Sequence, residues 1–198
     1  MEGVAQVFTA AFPESIDHYF DQPPDPRVVA QPFELCLEAE PDAFFVADEG
    51  QGRIAGYIFA PAQTSRLVPT AVFDGFIFRW LWGWMSGHYG IGWAPVRALV
   101  ANQMDFWRSS IKPKVKADAR ILSVAVHPQH QGRHIAGELC KLALGRLDRL
   151  GAHPVRREVR PDTTPAVRLY SHVGFRAVDR TSDSQGDWLI MLRGAVQV

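Results

Sequence analysis

The chain reads as an α/β (α+β) domain with a mixed, mostly antiparallel central sheet, one parallel strand pair, helices on both faces, and a helical insertion rich in tryptophan. Three observations predict this class. Residues 124–159 spell an apolar strand, a polar turn, an amphipathic helix and a second strand, which is the pattern of a right-handed crossover between parallel neighbours. Residues 43–59 and 176–192 each place two short apolar runs around a polar or glycine-bearing turn, the pattern of an antiparallel hairpin. At 198 residues, 47% of them apolar, the chain suits a single domain over residues 1–198 with a substantial core.

In chain order, Val4, Val7, Phe8, Ala11 and Phe12 repeat at threes and fours, so the sequence predicts an opening amphipathic helix that Pro13 ends. A loop rich in proline and aspartate follows over residues 21–26, then a helix over residues 32–40. Strands at residues 43–48 and 54–59 flank the turn Glu49-Gly50-Gln51-Gly52-Arg53. Residues 61–117 form the insertion. It holds Trp80, Trp82, Trp84, Trp93 and Trp107, and residues 94–109 read as a helix started by Pro95 with Val96, Leu99, Val100, Met104 and Trp107 on one face. These aromatics have three readings: cover for a sheet edge or a subsidiary core, a wall or lid over an acceptor site, or a contact in a homodimer.

After the strand at residues 124–126, a helix from Ile135 to about residue 150 is expected to bury Ile135, Leu139, Leu142, Ala143, Leu147 and Leu150, with Gly151 stopping it. A strand over residues 155–159 comes next. Thr163 or Thr164 can cap a helix whose first residue is Pro165, and Gly174 can end it in the left-handed conformation. The terminal hairpin runs through residues 176–180 and 188–192 around a polar turn at residues 182–187.

The chemistry lies in the turn between the strand and the helix. The first backbone N–H groups of a helix lack intrahelical partners and sit at the positive end of its dipole, so a turn feeding such a helix can cradle a pyrophosphate. Val124-Ala125-Val126 followed by Gln131-Gly132-Arg133-His134-Ile135-Ala136 resembles motif A of the GCN5-related N-acetyltransferase (GNAT) superfamily, with His134 where that family usually has its first motif glycine. Residues 158–175, with Thr163, Ala166, Leu169, Tyr170, Gly174 and Phe175, resemble its motif B, Thr163 replacing the usual asparagine. The resemblance implies a GNAT-like sheet whose parallel pair is splayed around acyl-CoA, acetyl-CoA as co-substrate, and no metal. It also implies a set of contacts to the coenzyme: Val124, Ala125, Val126, Gln131, Gly132, Arg133, His134, Ile135, Ala136 and Thr163. Tyr170 matches the family's general acid, and the motif A strand supplies its oxyanion donors.

Such a reaction is direct acyl transfer to an amine held in the same complex. An unperturbed alkyl amine of pKa about 10.4 is neutral about once in 2,500 molecules at pH 7, a handicap near 4.6 kcal/mol that the site has to reduce. Asp118 is a weak candidate for the base, beside an ordered water or another carboxylate. His127, His130 and His134 cluster in sequence, but three nitrogens in one loop without a cysteine or carboxylate partner make a poor metal site.

Composition narrows the partners. Lys plus Arg number 21 and Asp plus Glu number 21, so the chain lacks the basic field that nucleic-acid or anionic-membrane binding needs. The run of residues 73–85 is interrupted by Asp74 and Arg79 and is shorter than the roughly 20 apolar residues of a bilayer span. Cys36 and Cys140 sit in helix-like apolar settings and read as reduced core residues of a cytoplasmic protein. The leading expectation is thus an enzyme acetylating the primary amine of a small molecule. The alternatives are an acyl-CoA-binding module without turnover and an acetyltransferase for protein N-termini or lysines.

Overall fold

Pro13 does end the first helix, α1 (Glu2–Ala11), but it also starts the next, α2 (Pro13–Tyr19), because a proline in the first helical turn gives up no hydrogen bond. The computed structural model describes residues 1–19, 24–50, 52–86, 117–183 and 186–194. The third helix, α3 (Pro26–Ala39), begins at residue 26 rather than at residue 32. Asp25 caps it by accepting from the Arg27 N–H at 2.8 Å, and Pro26 takes the first position. Pro32 therefore lies inside the helix, where it offers the Val28 carbonyl no N–H.

Strands β1 (Phe44–Asp48) and β2 (Ile54–Phe59) form the expected hairpin, and β3 (Ser123–Val126) joins the other edge of β2, also antiparallel. A second sheet has the order β4 (Val155–Val159), β6 (Gly186–Arg193), β5 (Arg176–Asp183), again antiparallel throughout. The two sheets meet at a single parallel bridge, Arg120 with Arg156: the Ile121 N–H reaches the Arg156 carbonyl at 3.0 Å, and the Arg156 N–H reaches the Ala119 carbonyl at 2.9 Å. The crossover expected from sequence is present, but its strands pair once and then part.

Alternation along the strands builds a core on each face. Tyr57 and Ala125 face α1 and α3, with Val4, Val7, Val29, Ala30 and Phe33. Ile58, Ile121, Val155 and Val159 face the other way, under α6 (Ile135–Arg149) and α7 (Thr164–His172). The buried stripe of α6 is Leu139, Cys140, Ala143, Leu144 and Leu147. Leu142 and Leu150, expected inside, are each 57% exposed. At 100° per residue Leu142 lies roughly 130° from the centre of that stripe, and Leu150 comes after the last helical residue. Both cysteines are free, and burial pushes the Cys140 thiol up to about 11.

Of the insertion, the described part holds a 3₁₀ turn at Thr64–Arg66 and two helices, α4 (Leu67–Phe73) and α5 (Phe76–Met85). Helix α4 packs on α3, and α5 on α4. Phe76 is buried, but Phe78 and Trp82 are 73% and 65% exposed, so these two aromatics fill no core. The helix expected over residues 94–109, with Trp93 and Trp107, lies outside the described residues. No described helix is long and apolar enough to cross a membrane.

Candidate active site

Strand β3 runs into a 3₁₀ turn, Pro128–His130, and then a tight bend at Gly132, whose φ is +79°. His134 follows with φ +61° and ψ +9°, the only left-handed non-glycine conformation among the described residues. The backbone demands here what glycine would supply at no steric cost, and histidine is one of the side chains that tolerate it best. We expect His134→Gly to raise stability by about 1 kcal/mol, or roughly 2–4 °C in a thermal melt. A loss of acetyl-CoA affinity in the same variant would identify a contact between imidazole and phosphate.

The turn delivers an open helix terminus. His134 is the N-cap of α6 and makes no side-chain capping bond, and the first N–H returned to the helix is that of Glu138, bonded to the His134 carbonyl at 3.2 Å. The N–H groups of Ile135, Ala136 and Gly137 therefore point out of the helix beside exposed Gln131, Gly132 and Arg133. Gln131 braces the loop by donating its Nε2 to the Val126 carbonyl at 3.2 Å. No acidic side chain lies between residues 127 and 137, so this donor cluster suits an anion such as a diphosphate.

Gly56 fixes how closely this terminus approaches the sheet. A Cβ there would stand 2.9 Å from the Ala125 carbonyl oxygen, 3.2 Å from Val126 Cγ2 and 3.3 Å from Ile135 Cγ2. The first of these is backbone and cannot swing away. Gly56→Ala is expected to cost about 1–3 kcal/mol of stability and to weaken coenzyme binding by displacing the loop. Thermal melts and calorimetry on the folded variant check both effects.

Beyond the Arg120–Arg156 bridge the separated strands form a wedge whose mouth lies under the start of α6. The His127 N–H bonds to the Ala55 carbonyl at 2.8 Å, and antiparallel alternation then turns the N–H groups of Ala125 and Ser123 toward β2. Those of Val124 and Val126 point into the wedge, as an oxyanion site requires. Ala125 itself belongs to the ladder and the core.

Tyr170, on α7, is 1% exposed and packs edge-on against Phe175 at 5.7 Å. Burial raises the pKa of its phenol, with Arg157 opposing that rise, so it holds its proton through the neutral range. Thr163 is the N-cap of α7 without a side-chain capping bond, and its exposed hydroxyl is uncommitted.

Other sequence candidates lie elsewhere. Asp118 accepts from Thr64 Oγ1 at 2.8 Å and from Ser65 N and Oγ at 2.9 and 2.7 Å, at the closed end of the wedge. It shares a cleft of about 580 Å³ with Glu40, Arg146 and His153. His130 Nδ1 lies 2.8 Å from Glu49 Oε1 at the β1–β2 turn, without hydrogen-bond geometry. Among the described residues no three His, Cys, Asp or Glu side chains converge as metal ligands would.

Sequence reasoning placed the strand β4 but gave its charged residues no role. Val155-Arg156-Arg157-Glu158-Val159 puts three charges in succession into a central strand, which was the signal available. Arg156 is 2% exposed with its Nε 2.6 Å from Glu158, and Arg120 reaches the same carboxylate at 3.6 Å. Arg157, of opposite parity, turns into the wedge and donates Nη1 to the Ile121 and Leu122 carbonyls, both at 3.0 Å.

A sequence profile of the acetyltransferase (GNAT) family matches residues 2–175. Among curated proteins, a mycothiol acetyltransferase of Brachybacterium faecium is 43% identical over 63 residues, which is 32% of this chain and 19% of that protein. The matched stretch therefore spans about a fifth of that relative's length. Among solved structures, SsHAT superposes with a TM-score of 0.68 at 23% identity, covering 97% of this chain and 92% of that one. Ard1 from Thermoplasma volcanium gives 0.54 at 17% identity, with coverages of 97% and 88%. At these identities the structural likeness bears on the fold alone.

Proposed function

The chain belongs to the acetyltransferase (GNAT) family, and on that premise we propose that it transfers an acetyl group from acetyl-CoA to the primary amine of a small molecule, by direct attack in a ternary complex. The observation that carries the proposal is the wedge. Its mouth is an uncapped helix terminus suited to a diphosphate, its β3 wall turns two N–H groups inward, and Tyr170 is buried on the α6–α7 side.

The coenzyme brings an activated acyl thioester; the protein supplies position and charge. The N–H groups of Ile135, Ala136 and Gly137 hold the diphosphate, with Gln131, Gly132, Arg133 and His134 shaping the turn and the Thr163 hydroxyl available to the pantetheine arm. The N–H groups of Val124 and Val126 meet the oxyanion that develops on the acyl carbonyl. Tyr170 gives its proton to the departing sulfur. With the coenzyme seated from the α6 side, the acceptor approaches from the α1–α3 face, where β4 presents Glu158.

Residues 61–117 support a small acceptor. Their described part adds α4 and α5 beside α3 on that face, which favours an enclosed acceptor pocket over an open groove for a polypeptide. Two measurements test the assignment. Acetyl-CoA at 100 times its Kd should stabilise the fold by about 2.7 kcal/mol, with no such shift from NAD or ATP. Thiol release should then appear with members of a small-amine panel and not with peptide N-termini or lysine peptides. A melt indifferent to acetyl-CoA rejects the reaction, whereas turnover confined to peptides rejects only the acceptor.

A further inference from the structure

We infer that Arg157 is a positioning residue for thioester cleavage, one that props the wedge open at its apex and fixes the Tyr170 hydroxyl beside a permanent positive charge. The inference rests on the acetyl-transfer reading above and extends it to a residue the motifs do not include.

The first support is the way the two sheets part. At the parallel bridge, Arg156 donates to Ala119 and accepts from Ile121. Continuing that ladder would bring the Glu158 N–H to the Ile121 carbonyl as the next rung. That carbonyl is instead taken by Arg157 Nη1 at 3.0 Å, which also takes Leu122 at 3.0 Å. The guanidinium thus substitutes for the missing rung, and the strands separate at the residue where it does so.

The second support is its other contact. The guanidinium carbon lies 5.3 Å from the centroid of the Tyr170 ring, within range of a cation–π interaction. Arg157 Nε, by contrast, is buried and has no hydrogen-bond partner. An unsatisfied buried donor is costly, and a purely structural role at the strand junction does not require a charge there. The ionisable groups acting on the Tyr170 phenol are Arg157 from β4, which lowers its pKa, and Cys140 from α6, which raises it; Phe175 adds only apolar surface.

The amine nitrogen has bonded to the acyl carbon to give a tetrahedral oxyanion; in the cleavage step the oxyanion re-forms the carbonyl, the acyl C–S bond breaks and its electron pair stays on sulfur. The Tyr170 hydroxyl proton passes to that sulfur, leaving a phenolate beside Arg157. The proton lost by the acceptor amine, relayed through water, restores the phenol. Arg157 neither gives nor takes a proton. It stabilises the phenolate, which burial alone would make a poor state to reach.

A double-mutant cycle on the full chain tests this. Arg157→Gln should lower kcat at least tenfold with the KM for acetyl-CoA within twofold, and Arg157→Lys should recover part of the loss. Added to Tyr170→Phe, Arg157→Gln should cost less than twofold. Equal losses in both backgrounds, or an unchanged kcat, overturn the inference. If Arg157→Gln does not fold, the same cycle with Arg157→Lys decides, because a lysine that cannot bridge two carbonyls should still act only through Tyr170. A parent enzyme without turnover would reject the acetyl-transfer reading instead. The inference then stands or falls on ultraviolet titration of the phenol with Tyr170→Phe as the blank: the Tyr170 step should move to higher pH in Arg157→Gln, and an unmoved step overturns it.

Discussion

Tyr170→Phe should lower kcat at least tenfold while acetyl-CoA binds within twofold of the parent. A coenzyme thiolate with a reference pKa near 8.5 is a mediocre leaving group, and a positioned acid that protonates it contributes about 10²–10⁴ in rate. The lower bound corresponds to 1.36 kcal/mol of barrier, small enough to survive some rescue by water. Binding should persist because phenylalanine keeps the ring, and with it the contact to Phe175 at 5.7 Å and the face offered to Arg157 at 5.3 Å. The hydroxyl is lost from a residue 1% exposed, so water does not readily take its place. Steady-state thiol release and calorimetry with acetyl-CoA separate the two quantities. Undiminished turnover would remove Tyr170 from the acid role, whereas a parallel loss of binding would show that the hydroxyl holds the coenzyme.

The strand–turn–helix of residues 123–149 and the Leu169-Tyr170 to Gly174-Phe175 segment were legible in sequence because local rules write them. An N-terminal proline, an ending glycine and a 3.6-residue stripe act within one turn of the residues they govern. His134 was legible as a departure but not in its conformation, since the sequence does not say that the turn requires φ +61° there. The face of α6 was read one residue off at Leu142 because leucine also occupies positions 139, 144 and 147, and hydropathy alone does not choose among overlapping stripes. The start of α3 was missed because Asp25-Pro26 was read as loop when its cap and first-turn proline together make a helix start. Arg157 was beyond reach for a different reason. Its partners, the Ile121 and Leu122 carbonyls, are more than thirty residues away in sequence, and only the parting of two sheets gives a guanidinium something to do between them.

Glu40→Ala should cost about 3–5 kcal/mol of stability, the usual consequence of breaking a buried ion pair by removing one partner. The side chain of Glu40 is 10% exposed and that of Arg146 14%, with Arg146 Nη2 2.7 Å from Glu40 Oε1. The same carboxylate also accepts from the Ala62 N–H at 2.9 and 3.1 Å and from the Gln63 N–H at 3.2 Å. One residue therefore joins the end of α3, the chain leaving β2 and the last turns of α6. Alanine would orphan two backbone donors and strand a guanidinium whose Nη1 already lacks a partner. The cleft of about 580 Å³ beside the pair admits water to Arg146, which holds the loss toward the lower figure and the fall in Tm to roughly 10 °C. Glu40→Gln keeps an acceptor for the backbone donors but not the charge, so it should fall between parent and alanine. Replacing both partners by apolar residues, as in Glu40→Leu with Arg146→Met, should restore much of the loss because no buried charge is left alone. Arg146 lies about 16 Å along α6 from Ile135, so acetyl-CoA affinity measured well below the melt should be unchanged in every one of these variants. A Tm for Glu40→Ala within 2 °C of the parent would mean that the pair is solvated and ties the three elements only weakly.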